Sequence, residues 1–134
     1  MSRMVPNETM LAVIFKPLLL LERQPALVYG VTILMAMAII GLSLSPLDRL
    51  PDAPGGDKLH HFVAYGALAF PLAFIKARYL KTYLLCFIAL GGAIEWIQPY
   101  VNRYGEWADF GANFAGVIIG WLIAQALQRV KRTI

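Results

Sequence analysis

Charge is what this sequence has least of. Only 15% of its residues are Asp, Glu, Lys or Arg, against roughly 25% in a soluble domain. Hydrophobic residues make up 59%, which places the 134-residue chain with membrane proteins and leaves room for one domain. Cysteine is nearly missing too. Cys86 stands alone in an apolar run, so no intramolecular disulfide can staple the fold, and the residue reads as a small packing side chain. There is no phosphate-binding glycine loop, no G-x-S-x-G turn, no H-E-x-x-H and no C-x-x-C. There is also no internal repeat and no low-complexity tract. The net charge of +4 does not imply nucleic acid, because the basic residues form short clusters between apolar runs instead of a continuous stripe.

Long apolar runs are what the sequence has. A helix needs about 20 mostly apolar residues to cross a bilayer. Four segments are candidates: Leu27 to Leu44, Phe62 to Ile75, Thr82 to Asn102, and Phe110 to Leu127. The second is short and contains Pro71, which predicts a kink. It needs the histidines at one end and Lys76 at the other to reach across. A further run, Met10 to Leu21, is split by Lys16-Pro17 and reads as an interfacial or half-inserted helix instead of a fifth span. Glu22 and Arg23 follow it, no small-residue cleavage site is evident and a full span comes next, so it does not read as a cleaved signal peptide. The expected fold is therefore all-α and polytopic, with four transmembrane helices plus an N-terminal interfacial helix. The chain divides into an N-terminal segment (1–26), a four-helix membrane domain (27–127) and a basic tail (128–134).

Loop charges set the topology. Arg3, Lys16 and Arg23 precede the first span. Lys76, Arg78 and Lys81 lie between the second and third, and Arg129, Lys131 and Arg132 follow the fourth. With four spans these nine of twelve basic residues share one side. Arg49, Lys58 and Arg103 fall on the other, as do Asp48, Asp52 and Asp57, with Glu95, Glu106 and Asp109 on that side or near it. Both termini are thus expected on the cytoplasmic side of a multi-pass membrane protein.

Alternating helix direction then gathers polar residues at one depth in the outer half. His61 and Tyr65 share a helical face at i, i+4 spacing, whereas His60 is turned away by about 100°. Glu95 and Gln98 are i, i+3 neighbours near the end of the third span. Asp109 opens the fourth, with Asn113 one turn deeper. A carboxylate in hydrocarbon costs about 2.5–3.5 kcal/mol on insertion scales. Glu95 should therefore face the interior, with His61, Arg103 or its own proton as partner, or else sit at the interface against water. For His61 a proton or ligand role stands beside a plain interhelical hydrogen bond. Gly91, Gly92, Gly116 and Gly120 read as packing positions, and Trp96, Tyr100 and Trp107 as an aromatic belt. His61, Glu95 and Asp109 have the donor types of a three-ligand zinc site, but no metal motif supports one, and neither a metal nor another cofactor is expected.

The motifs D-K-x-x-H-x-x-x-Y (Asp57, Lys58, His61, Tyr65), E-x-x-Q (Glu95, Gln98) and R-x-x-x-x-x-D-x-x-x-N-x-x-G (Arg103, Asp109, Asn113, Gly116) occur in this order. On them the chain resembles the VanZ-like family of small bacterial membrane proteins. That resemblance implies a cell-envelope protein, and the family's name implies a link to resistance to teicoplanin, a lipoglycopeptide acting on the envelope.

Two functions compete. In the first, an outward-facing site handles an anionic envelope lipid or lipid-linked glycan, as an enzyme or as a binder. There His61, Glu95 and Asp109 are the candidate catalytic groups, and Asp57, Lys58, Tyr65, Gln98, Arg103 and Asn113 the candidate ligand-binding ones. His61 and Glu95 would form an acid/base pair, Lys58 and Arg103 would bind an anionic headgroup, and Asp109, Asn113 and Gln98 would orient both. In the second, the same polar residues tie helices together in a non-enzymatic scaffold or accessory subunit. A transporter is disfavoured, since four short spans without inverted repeats leave little room for alternating access unless the chain oligomerises.

Overall fold

The computed structural model describes residues 8–46 and 56–132, all in helices and short connections. Arg3, Asp48, Arg49 and Asp52 lie outside the described residues. The helices are α1 (Glu8–Arg23), α2 (Pro25–Leu44), α3 (Asp57–Phe74), α4 (Leu80–Ile97), continued by a 3-10 turn (Gln98–Val101), and α5 (Trp107–Arg132).

Among the described residues, three helices are long and apolar enough to cross a membrane: Pro25–Leu44, Leu80–Val101 and Trp107–Arg132. Helix α3 is not among them, unlike the four spans expected from sequence. The physical reason lies in its first turns, where Asp57, Lys58, His60 and His61 displace apolar residues. Its neighbours compensate, because α3 is sheltered along its length. His61, Tyr65, Leu68, Ala69, Leu72, Ala73 and Phe74 are all buried.

The closest pairing is between α3 and α5, and glycine makes it. A methyl group on Gly116 would overlap the Phe62 carbonyl oxygen, and one on Gly120 would overlap that of Gly66. Gln128 donates its side-chain N–H to the Phe74 carbonyl, 54 residues away in sequence. That offset is the same at all three points, so the two helices run parallel and in register. Alanines continue the seam: Ala69, Ala73 and Ala124 have no exposed surface. Helix α4 runs antiparallel between them in sequence. Helices α2 and α4 are also parallel, since Tyr29 meets Tyr83 with ring centroids 5.9 Å apart and Gln98 reaches the Ser43 carbonyl at 3.1 Å.

Two chain reversals hold this arrangement. After α3 the Lys76 N–H returns to the Ala73 carbonyl and the Ala77 N–H to that of Leu72, a Schellman closure with Lys76 left-handed at φ 52°. After the 3-10 turn Asn102, at φ 57°, takes the same conformation, which Asn tolerates better than most residues.

Pro17 does not break α1, and Pro71 lies in the last turns of an unbroken α3. Cys86 is exposed on α4 and is not a packing residue. Helix α5 continues to Arg132, and Gln128, placed by sequence in a tail, is buried. At this end Glu22 accepts hydrogen bonds from Gln128 at 2.6 Å and from Lys131. Helix α1 is thereby joined to α5.

Candidate functional site

The parallel pairing of α3 with α5, and of α2 with α4, leaves the bundle with two chemically different ends. Lys76, Arg78, Lys81, Arg129, Lys131 and Arg132 fall at the end of α3 and α5 and the start of α4. The start of α3 and α5 and the end of α4 carry Asp57, Lys58, His61, Glu95, Gln98, Asp109 and Asn113.

His61, Glu95, Asp109, Asn113 and Gln98 are all at most 7% exposed. Asn113 is the hub. Its Oδ1 lies 2.9 Å from His61 Nδ1, and its Nδ2 donates to Glu95 Oε1 at 3.4 Å. With its amide so committed, Asn113 offers His61 Nδ1 an acceptor, so that in a neutral ring the proton sits on Nδ1 and the lone pair on Nε2. Glu95 Oε1 is 3.8 Å from the same Nδ1. Of the expected partners for Glu95, His61 is therefore present. Gly91 makes room for the hub, since a Cβ there would stand 3.1 Å from Asn113.

The second Glu95 oxygen accepts the backbone N–H of Glu106 at 3.2 Å. This contact depends on the segment between α4 and α5, where Gly105 lies so close to the Glu95 carbonyl that any side chain would collide with it. Glu106 also takes Lys58 Nζ at 3.0 Å. Sequence reasoning gave Glu106 no role. The sequence signal was Gly105, a residue without bulk beside the turn that follows Glu95.

Lys58 serves two carboxylates. Beyond Glu106, it lies 3.6 Å from Asp109 Oδ1. That is ion-pair range but too long for a hydrogen bond, so Asp109 Oδ1 remains enclosed without one. Asp57 meets His61 from the opposite side to Asn113, with Oδ1 3.9 Å from Nε2. Each of the nine residues singled out from sequence thus stands at this end, but not in one contact network. Gln98 ties α4 to α2 instead. Tyr65 sits one turn deeper, 1% exposed, and Arg103 pairs with none of the acids among the described residues.

Among the described residues, four side-chain polar atoms are enclosed without a hydrogen-bond partner: Tyr65 Oη, Gln98 Oε1, an Arg103 guanidinium nitrogen and Asp109 Oδ1. Beside Glu95 a cleft of about 170 Å³ opens, lined by Trp96, Pro99, Gly105, Glu106 and Trp107. Both tryptophans are exposed, as is Tyr100.

A carboxyl group, an imidazole and an amide joined in this way can hold and relay a proton. The bare Nε2, the second acid and the cations around it can bind a polar group arriving from the bundle end. A protein-family model described as VanZ/LLP1 matches residues 6–128. No curated protein and no solved structure is similar to the chain.

Proposed function

Since the chain belongs to the VanZ/LLP1 family, we propose that it is a four-span protein of the bacterial cytoplasmic membrane whose polar end binds an anionic envelope lipid or lipid-linked glycan, and thereby alters sensitivity to teicoplanin-type glycopeptides. The observation that carries this reading is the place of the four unpartnered polar atoms. Buried polar groups are nearly always satisfied, and here every exception among the described residues lies at one end of the bundle. An arriving headgroup with phosphate and hydroxyl oxygens has the donors and acceptors to complete them. Arg103 would take the anion. Lys58 would contribute by releasing Glu106 or Asp109.

Helix α3 is the fourth span in this reading, admitted by its burial against α5 and not by its own hydropathy. The basic end then lies in the cytoplasm with both termini, as positive residues favour, and the polar end faces outward. Residues 27–127 form the membrane domain, and the segments flanking it lie at the inner surface. His61 and Glu95 act as a coupled pair through Asn113, and Asp109, Gln98 and Tyr65 carry unpartnered atoms at the same end. Lipid is the solvent of the outer faces of α2, α4 and α5.

A scaffold role has one observation in its favour. Gln98 and Asn113 each bridge helices, and such bonds contribute about 0.6 kcal/mol on average in membranes. One experiment separates the two. His61→Gln and Glu95→Gln are expressed in a host whose teicoplanin sensitivity depends on the protein, with membrane level and melting temperature measured alongside. The site reading expects activity to fall at least tenfold with folded protein unchanged. Full activity in both variants sinks it. Loss that tracks loss of folded protein transfers the residues to the scaffold.

A further inference from the structure

The His61–Asn113–Glu95 network fixes more than a proton. With Nδ1 facing Asn113, His61 has Nε2 left for a ligand role, and carboxylates of Asp57 and Asp109 lie nearby. One ligand atom each from Asp57, His61 and Asp109 lies within 4.8 Å of the others. The geometry points to a binding site for a divalent transition-metal ion, Zn2+ in the first instance, held by His61 Nε2 and a carboxylate oxygen each from Asp57 and Asp109.

Three observations carry it. The first is the donor set. One imidazole and two carboxylates are ligands of borderline to hard character that suit Zn2+ or Mn2+, and three protein ligands leave a position open to water or substrate. Ligand atoms around one Zn2+, at about 2.0–2.1 Å each, stand roughly 3.3 Å apart. The present spacing, up to 4.8 Å, has to close on binding: Asp57, whose side chain is 60% exposed, does so by rotation, and the buried His61 and Asp109 by a small shift towards each other. The second is Asp109, which is 2% exposed with Oδ1 enclosed and unbonded. A buried carboxylate oxygen without a hydrogen-bond donor has capacity for a cation closer than Lys58. Lys58 is close by, yet its ammonium stays 3.6 Å away and favours Glu106. The third is the outer layer. Metal-bound histidines almost always donate their other ring N–H to an acceptor that fixes the tautomer. His61 Nδ1 meets Asn113 Oδ1 at 2.9 Å, and Glu95 in turn holds the Asn113 amide.

This ligand set differs from the one that residue types alone suggest. Glu95 lies on the Nδ1 side of His61 and is bound to the Glu106 N–H, so it cannot share an ion with Nε2. Asp57, in the first turn of α3, takes its place. The inference goes beyond the headgroup reading and does not need it, since a structural ion would hold α3 to α5 without any lipid. If an ion is bound, His61 is a ligand and no longer a base, and Glu95 is left as the proton acceptor of the network.

The test uses the full chain purified in detergent, stripped with a chelator and titrated with Zn2+, Mn2+ and Mg2+ by calorimetry, with elemental analysis after gel filtration. One Zn2+ per chain is expected, and Mg2+ at least 100-fold weaker. Asp57→Asn and His61→Gln should each weaken Zn2+ at least tenfold. Asn113→Ala, which touches no ion, should weaken it about 10–100-fold. Lys58→Met should tighten binding, because a competing positive charge leaves Asp109. His60→Gln should leave it unchanged. The Asp57 variant alters an exposed side chain, so its result stands even if the buried variants fail to fold. The inference is overturned by less than one-tenth of an ion per chain, by binding that survives Asp57→Asn and His61→Gln unchanged, or by binding that disappears with His60→Gln. Zinc binding without any glycopeptide phenotype would refute the headgroup reading alone.

Discussion

The glycine seam between α3 and α5 allows one substitution to be predicted with opposite signs at two places on one helix. A Cβ at Gly111 meets nothing within 4 Å, whereas one at Gly116 overlaps the Phe62 carbonyl oxygen. Both glycines are helical, so alanine gains about 0.5–1 kcal/mol of helix propensity at either. At Gly116 the obstacle is backbone, which cannot swing aside, and the two helices must separate. If roughly 30 close heavy-atom pairs form the seam at about 0.1–0.2 kcal/mol each, a gap of 0.5–1 Å forfeits about 1–2 kcal/mol, within the usual range for overpacked cores. Gly111→Ala should therefore stabilise the protein, and Gly116→Ala should destabilise it. The difference between them, about 1–2 kcal/mol by the same estimate, is free of the propensity term. Gly120 faces the carbonyl one turn on, so a single separation of the helices relieves both overlaps. The double variant Gly116→Ala/Gly120→Ala should then cost less than the two single changes added together. Unfolding by sodium dodecyl sulfate in mixed micelles, followed by tryptophan fluorescence, measures each value. Stability changes of the same sign at Gly111 and Gly116, or strict additivity of the pair, would refute the close-contact argument.

Three further outcomes follow from other contacts. Lys76→Gly should stabilise by about 0.5–1 kcal/mol in the same assay, because a left-handed residue closes α3 without a glycine's freedom. Burial pushes the Glu22 carboxyl up, but hydrogen bonds from Lys131 and Gln128 outweigh it and hold the group below its ordinary value of 4.5. Its folded value is thus the lower one, so its contribution is complete above that ordinary value and fades as pH falls below it. Glu22→Gln should flatten the melting-temperature profile in that acid range and leave the neutral-to-alkaline range parallel to the parent. Gln98→Ala removes the donor to the Ser43 carbonyl and should cost about 1 kcal/mol, read as a lower melting temperature with metal affinity intact.

Much of the bundle's logic was legible in the residues. The charge clusters and the alternation of apolar runs were enough to bring His61, Glu95, Asp109 and Asn113 to one level, because helix direction is a discrete variable and each span reverses it. The i, i+4 argument correctly separated His61, buried, from His60, exposed. What pattern could not supply was pairing in three dimensions. Nothing in the spacing says that Asn113 stands between His61 and Glu95, or that Asp57 lies across the ring from both, since these depend on how closely α3 approaches α5. The backbone N–H of Glu106 was invisible for a different reason: it becomes a donor to Glu95 only through the reversal at Asn102 and the bare surface of Gly105. Pro17 misled because a proline mid-helix weakens one turn without deciding whether neighbouring turns persist. Helix α3 exposed the limit of counting apolar residues, as shelter by another helix lowers the apolarity that a buried segment needs.

That shelter has a consequence for how the chain is made. Ribosomes deliver α3 before α5 exists, and α3 is not apolar enough to cross a membrane on its own. Until Gly116 and Gly120 emerge, its histidines and its small-residue face have no surface to meet. Synthesis order and dependence order therefore run in opposite directions here, and a nascent chain halted before Trp107 would present quality-control machinery with an orphan helix.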